Sequence, residues 1–487
     1  MLKRLSYIIF FLSLVFGVSA RSRLDYNVEV AGVSSSGKYT PFWLSANRNG
    51  ISSLADKWGY VRVGADGATA LKGNWSLEYG ADIVGARNLH ADVFVHQAYA
   101  DVSWRWLRLS IGKKERAGEL KNTLLSTGAL IESSNAAPIP QARLEVPEYR
   151  DFFGTNGWFT LRGHIAYGWF TDGDWQQKWA APGTRYAQNV LYHSKSLFWK
   201  VGKEQLFPLT YEGGVLMVSQ FGGDITNYMN NTGVNFSNPV RLRDFWDIFT
   251  FSSGDSQYAI WDQLNVAGNH LGSYHLALKW SDEYWSLRGY YEHMFDDHSS
   301  MFWEYGLWTD CLAGAELHLK NFKWLDNIVF EYFNSRNQAG PIYHDTTNEI
   351  PDQISASDDY MNHHTYPGWQ QYGLIIGTPL FTSPLYNNEN RFEIYNNRVE
   401  AFHLGLSGNP LDEFGYRVLL VKSYNWGTYA RPFKDMKRNM SGLLELSYSP
   451  RWVDGFTASL SFAFDDGELY GNNKGVMLGI KKCGRFF

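Results

Sequence analysis

Hydrophobic and polar residues alternate with a period of two along much of the chain. The stretch 157–170 reads GWFTLRGHIAYGWF. One parity holds Phe159, Leu161, Ile165, Tyr167 and Trp169, and the other holds Thr160, Arg162, His164 and Ala166. Because a strand sends successive side chains to opposite faces, this stretch predicts a β-strand with one apolar and one polar face.

The same alternation recurs at 75–83, 107–111, 285–292 and 456–464, and the apolar faces are rich in Trp, Tyr and Phe. In a soluble sheet the apolar face would cover a core and the polar face would meet water. In a membrane barrel the apolar face meets lipid and the polar face a wet lumen, with aromatic residues at the membrane boundaries. The aromatic ends favour the barrel.

The pattern predicts an all-β, transmembrane, antiparallel outer-membrane β-barrel of about 18 strands, with 16 to 20 compatible with the sequence. The segments run from near residue 24 to near residue 482. Their alternation between the two ends of the barrel slips once between residues 112 and 272 and once between 334 and 397, so one strand is missed or merged in each region; 240–251 is a candidate for the strand in the first region. Since unpaired backbone groups cannot face hydrocarbon, the sheet must close. Long irregular stretches near 113–157, 221–271, 335–369 and 378–396 predict lids, plugs or extracellular binding loops.

The first 20 residues predict a cleaved secretory signal peptide. Lys3 and Arg4 precede an apolar run at 5–18, and Val18-Ser19-Ala20 offers the small residues of a cleavage site. The apolar run is short for a membrane span, although a signal anchor is the alternative. We therefore expect residues 21–487 to form one barrel in the outer membrane of a Gram-negative bacterium.

Composition and charge exclude some partners. Aromatic residues form 17% of the chain, with 20 Trp, and charged residues only 19%. The net charge of -5 becomes about -7 once the two basic residues of the leader are removed, which argues against a nucleic-acid partner. Cys311 and Cys483 are too few for a disulfide scaffold, so they either pair with each other or remain free thiols.

Several ordered motifs resemble one family. They are IGKKERAGEL, LSTGALIESSNAAPIPQ, GWFTLRGHIAYGWF, EGGVLMVSQFGG, GNHLGSY and YMNHHTYPGW, at 111–120, 125–141, 157–170, 212–223, 268–274 and 360–369. Together they make most of the mature chain similar to the Wzi-type capsule assembly outer-membrane proteins, in particular their Bacteroides-like branch.

The resemblance implies an eighteen-stranded barrel that binds capsular or other surface polysaccharide and holds it at the cell surface. It implies no reaction and no cofactor. Enterobacterial members carry a small periplasmic helical bundle, for which this sequence shows no counterpart. The expected partners are the glycan, outer-membrane lipid and, during biogenesis, the barrel assembly machinery that would recognise the terminal Phe487; Lys481 and Lys482 interrupt the apolar pattern there. We expect a monomer.

The candidate ligand-binding residues lie on the polar wall face and in the loops. They are Arg162, His164, Arg288, Tyr366, Trp369 and Asn362. Aromatic rings pack on the apolar faces of sugars, amides bond hydroxyls, and arginines contact acidic sugars. Equally, the aromatics could belong to the interfacial belt and the arginines could pair with wall carboxylates.

Two other functions stay open. A barrel without a plug would be a porin, recognisable by steady single-channel currents. A lumen lipase, the third candidate, needs a serine, a histidine and an orienting group, but the chain has no Gly-x-Ser-x-Gly elbow. No catalytic residue and no metal site is predicted, since His363 and His364 are adjacent and the acidic pairs lack calcium-loop spacing.

Overall fold

The computed structural model describes residues 22–259, 262–263, 266–296, 301, 309–338 and 359–486. Its main element is a closed antiparallel β-barrel of 18 strands. The signal peptide predicted at 1–20 lies outside the described residues, as does the terminal Phe487. The barrel strands are β1 Ser22–Ser36, β2 Lys57–Ala70, β3 Trp75–Arg87, β4 Val93–Trp104, β5 Leu107–Lys113, β6 Gln141–Arg150, β7 Phe159–Trp169, β8 Leu191–Val201, β9 Leu209–Phe221, β10 Asn269–Ser281, β11 Trp285–Asp296, β12 Cys311–Leu319, β13 Asn327–Asn334, β14 Val399–Leu411, β15 Phe414–Gly427, β16 Pro432–Tyr448, β17 Phe456–Gly467 and β18 Asn473–Arg485.

Each barrel strand pairs antiparallel with its neighbours in the chain, and the first strand pairs with the last. Val30 of β1 lies opposite Ile480 of β18, and twelve consecutive residue pairs join these two strands. This closure removes the free edges of the sheet, so that its backbone N–H and C=O groups bond within the wall.

The two ends of the barrel differ in the length of their connections. Those between β2 and β3 (71–74) and between β14 and β15 (412–413) are short turns, and both lie at the end that holds the strand termini Ser22 and Arg485. We name this the turn end. The opposite loop end carries the long connections, including 114–140, 222–268 and 335–398. In outer-membrane barrels short turns are periplasmic and long loops extracellular.

The wall has an apolar outside and a polar inside. In β2 and β3, Val61, Val63 and Ile83 are exposed, whereas Asp82 is buried and accepts hydrogen bonds from the Arg62 guanidinium. The exposed aromatics near the turn end include Trp75, Trp104, Trp106, Phe152, Trp324 and Trp452. An apolar outer face bordered by aromatic rings is the surface that a barrel presents to lipid.

The structure confirms the predicted barrel and its count of 18, and it explains the first of the two regions in which the sequence count was irregular. In the second region, β13 pairs directly with β14, and the described residues between them contain no further barrel strand. Strand β6 lies inside the stretch 113–157 that the sequence predicts to be a loop. The stretch 240–251 is not a strand, because Leu242–Thr250 forms a helix. Its residues repeat at helical spacing, and with β6 counted the connections 71–74, 282–284 and 449–455 all fall at the turn end.

The described helices and short strands outside the barrel all belong to loop-end connections. No helix in the described ranges is long and apolar enough to cross a membrane. The helices are α1 Phe42–Ser45, α2 Gly173–Trp179, α3 Leu242–Thr250 and the 3-10 turn Pro384–Tyr386. The short strands are Tyr186–Gln188, Asp224–Thr226 and Phe236–Ser237 in one sheet, and Gln370–Gln371 with Leu374–Ile375 in another.

Three loop-end connections enter the barrel: residues 37–56, 114–140 and 359–398. The first reaches the wall at β17, where the backbone N–H of Phe42 donates to Asp465. It contacts the second through Asn49, whose N–H donates to the Ser134 carbonyl over 2.5 Å. The third contacts the second through the Trp369 indole N–H, which donates to the Ile131 carbonyl over 2.9 Å. The largest cluster of buried hydrophobic residues joins these segments to the wall.

The structure also places the two lysines that interrupt the apolar pattern of the last strand, and the two cysteines. Lys481 lines a cavity inside the barrel, and Lys482 on the outer face donates to the Asp454 carbonyl at the turn end. The apolar outer face of β18 therefore ends at the membrane boundary rather than being interrupted within it. Cys311 begins β12 at the loop end and Cys483 lies near the end of β18, and both are free thiols.

Candidate functional site

The segment 114–140 is fixed in the lumen by two buried wall glutamates. Glu331 of β13 accepts hydrogen bonds from the Ser126 hydroxyl and from both the N–H and the hydroxyl of Thr127, over 2.6–2.7 Å. Glu292 of β11 accepts the Leu130 N–H and forms a 2.9 Å ion pair with Lys121. Both carboxylates are shielded from water, so they bond strongly to the segment and hold it across the lumen.

Two of the predicted ligand-binding residues, Arg162 and His164, lie inside the barrel on β7. Arg162 pairs with Glu119 of the 114–140 segment at 2.6 Å and stacks over the Phe198 ring. The His164 ring lies between two hydroxyls of β8, with Nε2 2.7 Å from Ser194 Oγ and Nδ1 2.7 Å from Ser196 Oγ. The arginine is thus paired with a carboxylate, although with one from the loop rather than from the wall.

Arg288, on β11, also faces the lumen. It contacts Glu316 of the neighbouring strand at 3.7 Å and donates to the Leu120 carbonyl. Like Arg162, it therefore joins the wall to the inward segment. Among the described contacts, both arginines therefore bind the segment 114–140 to the wall.

The predicted loop residues Tyr366, Trp369 and Asn362 pack inside the loop-end assembly. The rings of Tyr366 and Trp369 are fully buried. The Tyr366 hydroxyl donates to the Gly222 carbonyl, and the Asn362 side chain bonds both the N–H and the C=O of Ile394. These residues are brought together as part of the folded loops, and their participation in ligand binding remains a prediction.

A different set of residues surrounds an open cleft at the loop end. The cleft has a volume of about 200 Å³ and is formed by residues 50–53, 88–90, helix α2 and the turn at 371–374. Its apolar side carries Trp175 and Trp179, four residues apart on one face of α2, whose rings stack 5.4 Å apart at 15°. Both rings pack against the buried Phe392.

A second aromatic pair extends the same side of the cleft. Tyr372 contacts Trp175 edge to face at 6.0 Å and stacks on His90 at 4.0 Å. Tyr372 has a positive φ of 51°, and Gly373 follows with φ 75°. A Cβ at position 373 would come within 2.9 Å of the Trp175 ring, so glycine is required for this close approach.

Two polar atoms of residues that line the cleft are buried and have no hydrogen-bond partner among the described residues. They are the Ser52 hydroxyl and the Gln371 side-chain carbonyl, and both side chains are buried. The Gln371 amide nitrogen is already used, because it donates to the Thr171 hydroxyl over 2.9 Å. A buried polar atom without a partner costs free energy, and a ligand or an ordered water could supply the missing bond.

The cleft is rigidified by one buried carboxylate. Asp172 precedes α2 and accepts hydrogen bonds from the Gln176 side chain, the Gln370 side chain and the Tyr372 N–H, over 3.0–3.3 Å. Burial raises the pKa of Asp172 above its ordinary value. Burial also lowers the pKa of His90 to about 4, so that ring is neutral near pH 7 and can stack without a charge.

The opposite end of the barrel holds a larger cavity of about 700 Å³. It is lined by charges of both signs, among them Glu29, Arg62, Asp82, Glu115 and Lys481. Glu115 belongs to the inward segment and pairs with Arg62 at 3.0 Å. The inward segment therefore forms the roof of this turn-end cavity.

The sequence reasoning missed the residues of the cleft. The available signal was the spacing of Trp175 and Trp179 behind Asp172-Gly173, which is typical of a short helix with two rings on one face. No sequence signal connects that helix with Ser52 or Gln371. Ser52 precedes Trp175 by 123 residues, and Gln371 follows Trp179 by 192 residues. Their meeting depends on the folding of three separate connections.

The fold and its inside-out polarity define an outer-membrane β-barrel protein. The structure is similar to that of Wzi, described as an outer-membrane protein involved in group 1 capsule assembly in Escherichia coli and a carbohydrate-binding β-barrel, with a TM-score of 0.55 and 14% identity over 93% of this chain and 83% of that one. OccAB2 of Acinetobacter baumannii has a TM-score of 0.51 at 10% identity over 96% and 98% of the two chains. OpdL of Pseudomonas aeruginosa has 0.50 at 9% identity over 96% and 100%.

These likenesses establish the fold alone. No protein-family model matches the chain, and no curated protein sequence matches it. The resemblance to the capsule assembly family therefore rests on the ordered motifs, and the similar structures include barrels other than Wzi.

Proposed function

We propose that the protein binds a capsular or related surface polysaccharide at its loop end and retains it on the outer membrane without a covalent step. The observation that carries the proposal is the loop-end cleft, whose lining combines stacked aromatic rings with Ser52 and Gln371. Each of these two residues has a buried polar atom, Oγ and Oε1 respectively, without a hydrogen-bond partner among the described residues. Sugar rings present the matching chemistry, with an apolar face for the aromatics and hydroxyls at the edge for polar atoms.

The size of the cleft supports a polymer rather than a free small molecule. Its volume of about 200 Å³ lies below the ~300 Å³ at which pockets for drug-sized ligands begin. A single sugar unit would enter, while the rest of the chain would lie across the loop-end surface. Many weak contacts along one polymer then give firm retention through multivalency.

The filled lumen supports binding over conduction. The segments 37–56, 114–140 and 359–398 meet inside the barrel and bond to its wall. A porin needs a continuous aqueous path. The turn-end cavity favours a channel, since it is about 700 Å³ in volume and its lining includes charges of both signs, but Glu115 and its segment form its roof.

A lumen lipase finds less support. His164 contacts two serines, which supplies a nucleophile and a base, yet its two ring nitrogens are both occupied by hydroxyls rather than by an orienting carboxylate. The ring borders a cavity of about 80 Å³ beneath the inward segment, which leaves little room for an acyl chain.

The proposal is tested by removing one polar atom and one ring from the cleft. Ser52→Ala deletes a hydroxyl that has no hydrogen-bond partner in the described part of the chain, so the fold should be unaffected while polysaccharide binding weakens by about five-fold. Trp175→Ala removes a stacking surface, and we expect a loss of about three- to tenfold. Binding is measured with capsular polysaccharide purified from the source strain.

The matched control is Trp452→Ala, which removes an exposed tryptophan at the turn end. In cells, the ratio of bound to released polysaccharide should fall in both cleft variants and in the deletion strain, with total polymer unchanged, and should stay at the wild-type value in the control. If both cleft variants retain polymer like the wild type, the cleft is not the site. If the deletion strain also retains its polymer while solute uptake falls, the protein is a channel.

A further inference from the structure

The connection 222–268 differs from the inward segments because part of it folds over the outside of the wall. Helix α3 packs against the loop-end edges of β7, β8 and β9. The Tyr167 hydroxyl donates to the Phe245 carbonyl over 2.8 Å, and Lys195 donates to the Phe249 carbonyl. Tyr167 and Lys195 belong to the outer face of the wall, since they share its parity with the exposed Ile165 and Trp169.

One face of α3 is buried against the wall. Ile248 is fully buried, and the Phe245 ring meets the rings of Tyr167 and Phe221, each at 5.2 Å. Together with Leu191, Tyr258 and Ala267, these residues form a hydrophobic cluster separate from that in the lumen. The helix is thereby fixed in position on the outer surface.

Another face of α3 presents an apolar stripe that no element among the described residues covers. Leu242, Trp246 and Phe249 lie four and three residues apart, so they align along one side of the helix. Leu242 is 91% exposed and Trp246 64% exposed, and the Trp246 and Phe249 rings lie 5.6 Å apart. Exposed apolar patches of this kind mark interaction sites.

The direction of the stripe indicates what covers it. Phe249 reaches past His193, with ring centroids 5.9 Å apart, to Lys195, which lies two residues further from the loop end. The stripe thus points down the outer wall and continues into the exposed apolar surface of Ile165 and Leu197, which faces lipid. The charged Arg241 and Arg243 are paired with Asp244 and Asp247 elsewhere on the helix.

We infer that α3 is an interfacial helix that lies in the outer leaflet, with Leu242, Trp246 and Phe249 inserted among the lipid acyl chains. An amphipathic helix at the boundary of a membrane binds by its buried apolar area. The helix widens the contact between barrel and lipid on the side of β7 to β9. It fixes the outer connection at the membrane surface, away from the aromatic cleft.

The inference is tested by the depth of position 246 in a bilayer. In a Cys311→Ser, Cys483→Ser background, Trp246→Cys and Leu242→Cys are labelled with an environment-sensitive fluorophore, and the folded protein is placed in phosphatidylcholine vesicles. Ile165→Cys on the wall gives the lipid reference. Lys178→Cys, exposed on loop-end helix α2, gives the water reference.

We expect lipids spin-labelled near the head group to quench both α3 positions at least about twofold more than position 178, and comparably to position 165. Quenching equal to that at position 178 would place the helix in water and overturn the inference. Protection from water without lipid quenching, rising with protein concentration, would instead assign the stripe to a second copy of the chain. Leu242→Cys keeps the test valid if Trp246→Cys fails to fold, because Leu242 contributes little packing.

Discussion

Two long connections at the same end of the barrel fold to opposite sides of its wall. The inward segment 114–140 contains no aromatic residue, whereas the connection 222–268 contains eight. The first bonds through its backbone and small polar side chains to the wall carboxylates Glu292 and Glu331. The second packs Phe245 and Ile248 of α3 on the outer, apolar surface.

The difference follows from the inside-out polarity of the wall. Inside the barrel, charged wall residues can satisfy the N–H groups of an irregular segment, which would otherwise be costly to bury. Outside, the wall offers apolar side chains and has no free backbone groups, so aromatic residues gain most by covering it. The composition of each connection matches the surface that it meets.

The strongest way to break the comparison is to remove each connection in turn. Replacing 119–136 by a short Gly-Ser linker should open a water-filled path, so planar bilayers should show steady single-channel currents well above those of the wild type. Replacing 242–250 in the same way should leave the currents at the wild-type level, because α3 lies outside the wall. Equal currents in the wild type and the 119–136 variant would show that this segment does not close the lumen.

The buried ion pair inside the lumen should matter more than an exposed one on the wall. Lys121→Ala leaves Glu292 without its cation in a site shielded from water, and should cost about 3–5 kcal/mol. Lys279→Ala breaks the partly exposed pair with Glu204 and should cost less than about 1 kcal/mol. Urea unfolding in detergent micelles measures both values, and a cost at position 121 as small as that at 279 would contradict the structural role given to the inward segment.

The last expected effect is a pH dependence of stability through Asp262, which belongs to the connection 222–268. Burial raises the pKa of this carboxyl to about 7, and its neighbour His363, 3.9 Å away, is kept neutral because burial lowers its pKa. An unfolded aspartate loses its proton near pH 4, so the folded form holds more protons between about pH 4 and pH 7. Stability from this group is therefore greatest at low pH and declines as the pH rises across that window.

Asp262→Asn, which stays uncharged, supplies the control for this effect. The melting temperature of the wild type relative to the variant should be lower at pH 8 than at pH 4. A constant difference across that range would mean that Asp262 titrates normally and is solvated.

The barrel could be predicted from the sequence because its signal is local. The alternation at 157–170 corresponds to β7, and the stretches 75–83 and 456–464 correspond to β3 and β17. Strand β6 escaped prediction because Pro147 and the charged residues around it, in QARLEVPEYR, weaken the alternation. Helix α3 was taken for a strand because its aromatic residues suit either structure until their contacts are known.

The candidate site was far less accessible from the sequence. Tyr366 and Trp369 were selected as loop aromatics, but their rings are buried among other loop residues, while Trp175 and Trp179 border the cleft. Tyr366 and Trp369 lie in the predicted loop 335–369, whereas Trp175 and Trp179 lie in none of the predicted loops; both pairs are aromatic residues outside the barrel strands. What separates them is the packing of neighbouring connections, which no local pattern encodes.

The sequence by itself determined the class of fold. Each strand must present one face to lipid and the other to the lumen, and this requirement produces an alternation of apolar and polar residues that is visible within each strand. The tertiary structure alone decided which connections enter the barrel and which lie on its outside. It also decided where Ser52, Trp175 and Gln371 meet. Those outcomes depend on contacts between residues more than a hundred positions apart. Such contacts form, and contribute to stability, only once the wall has closed.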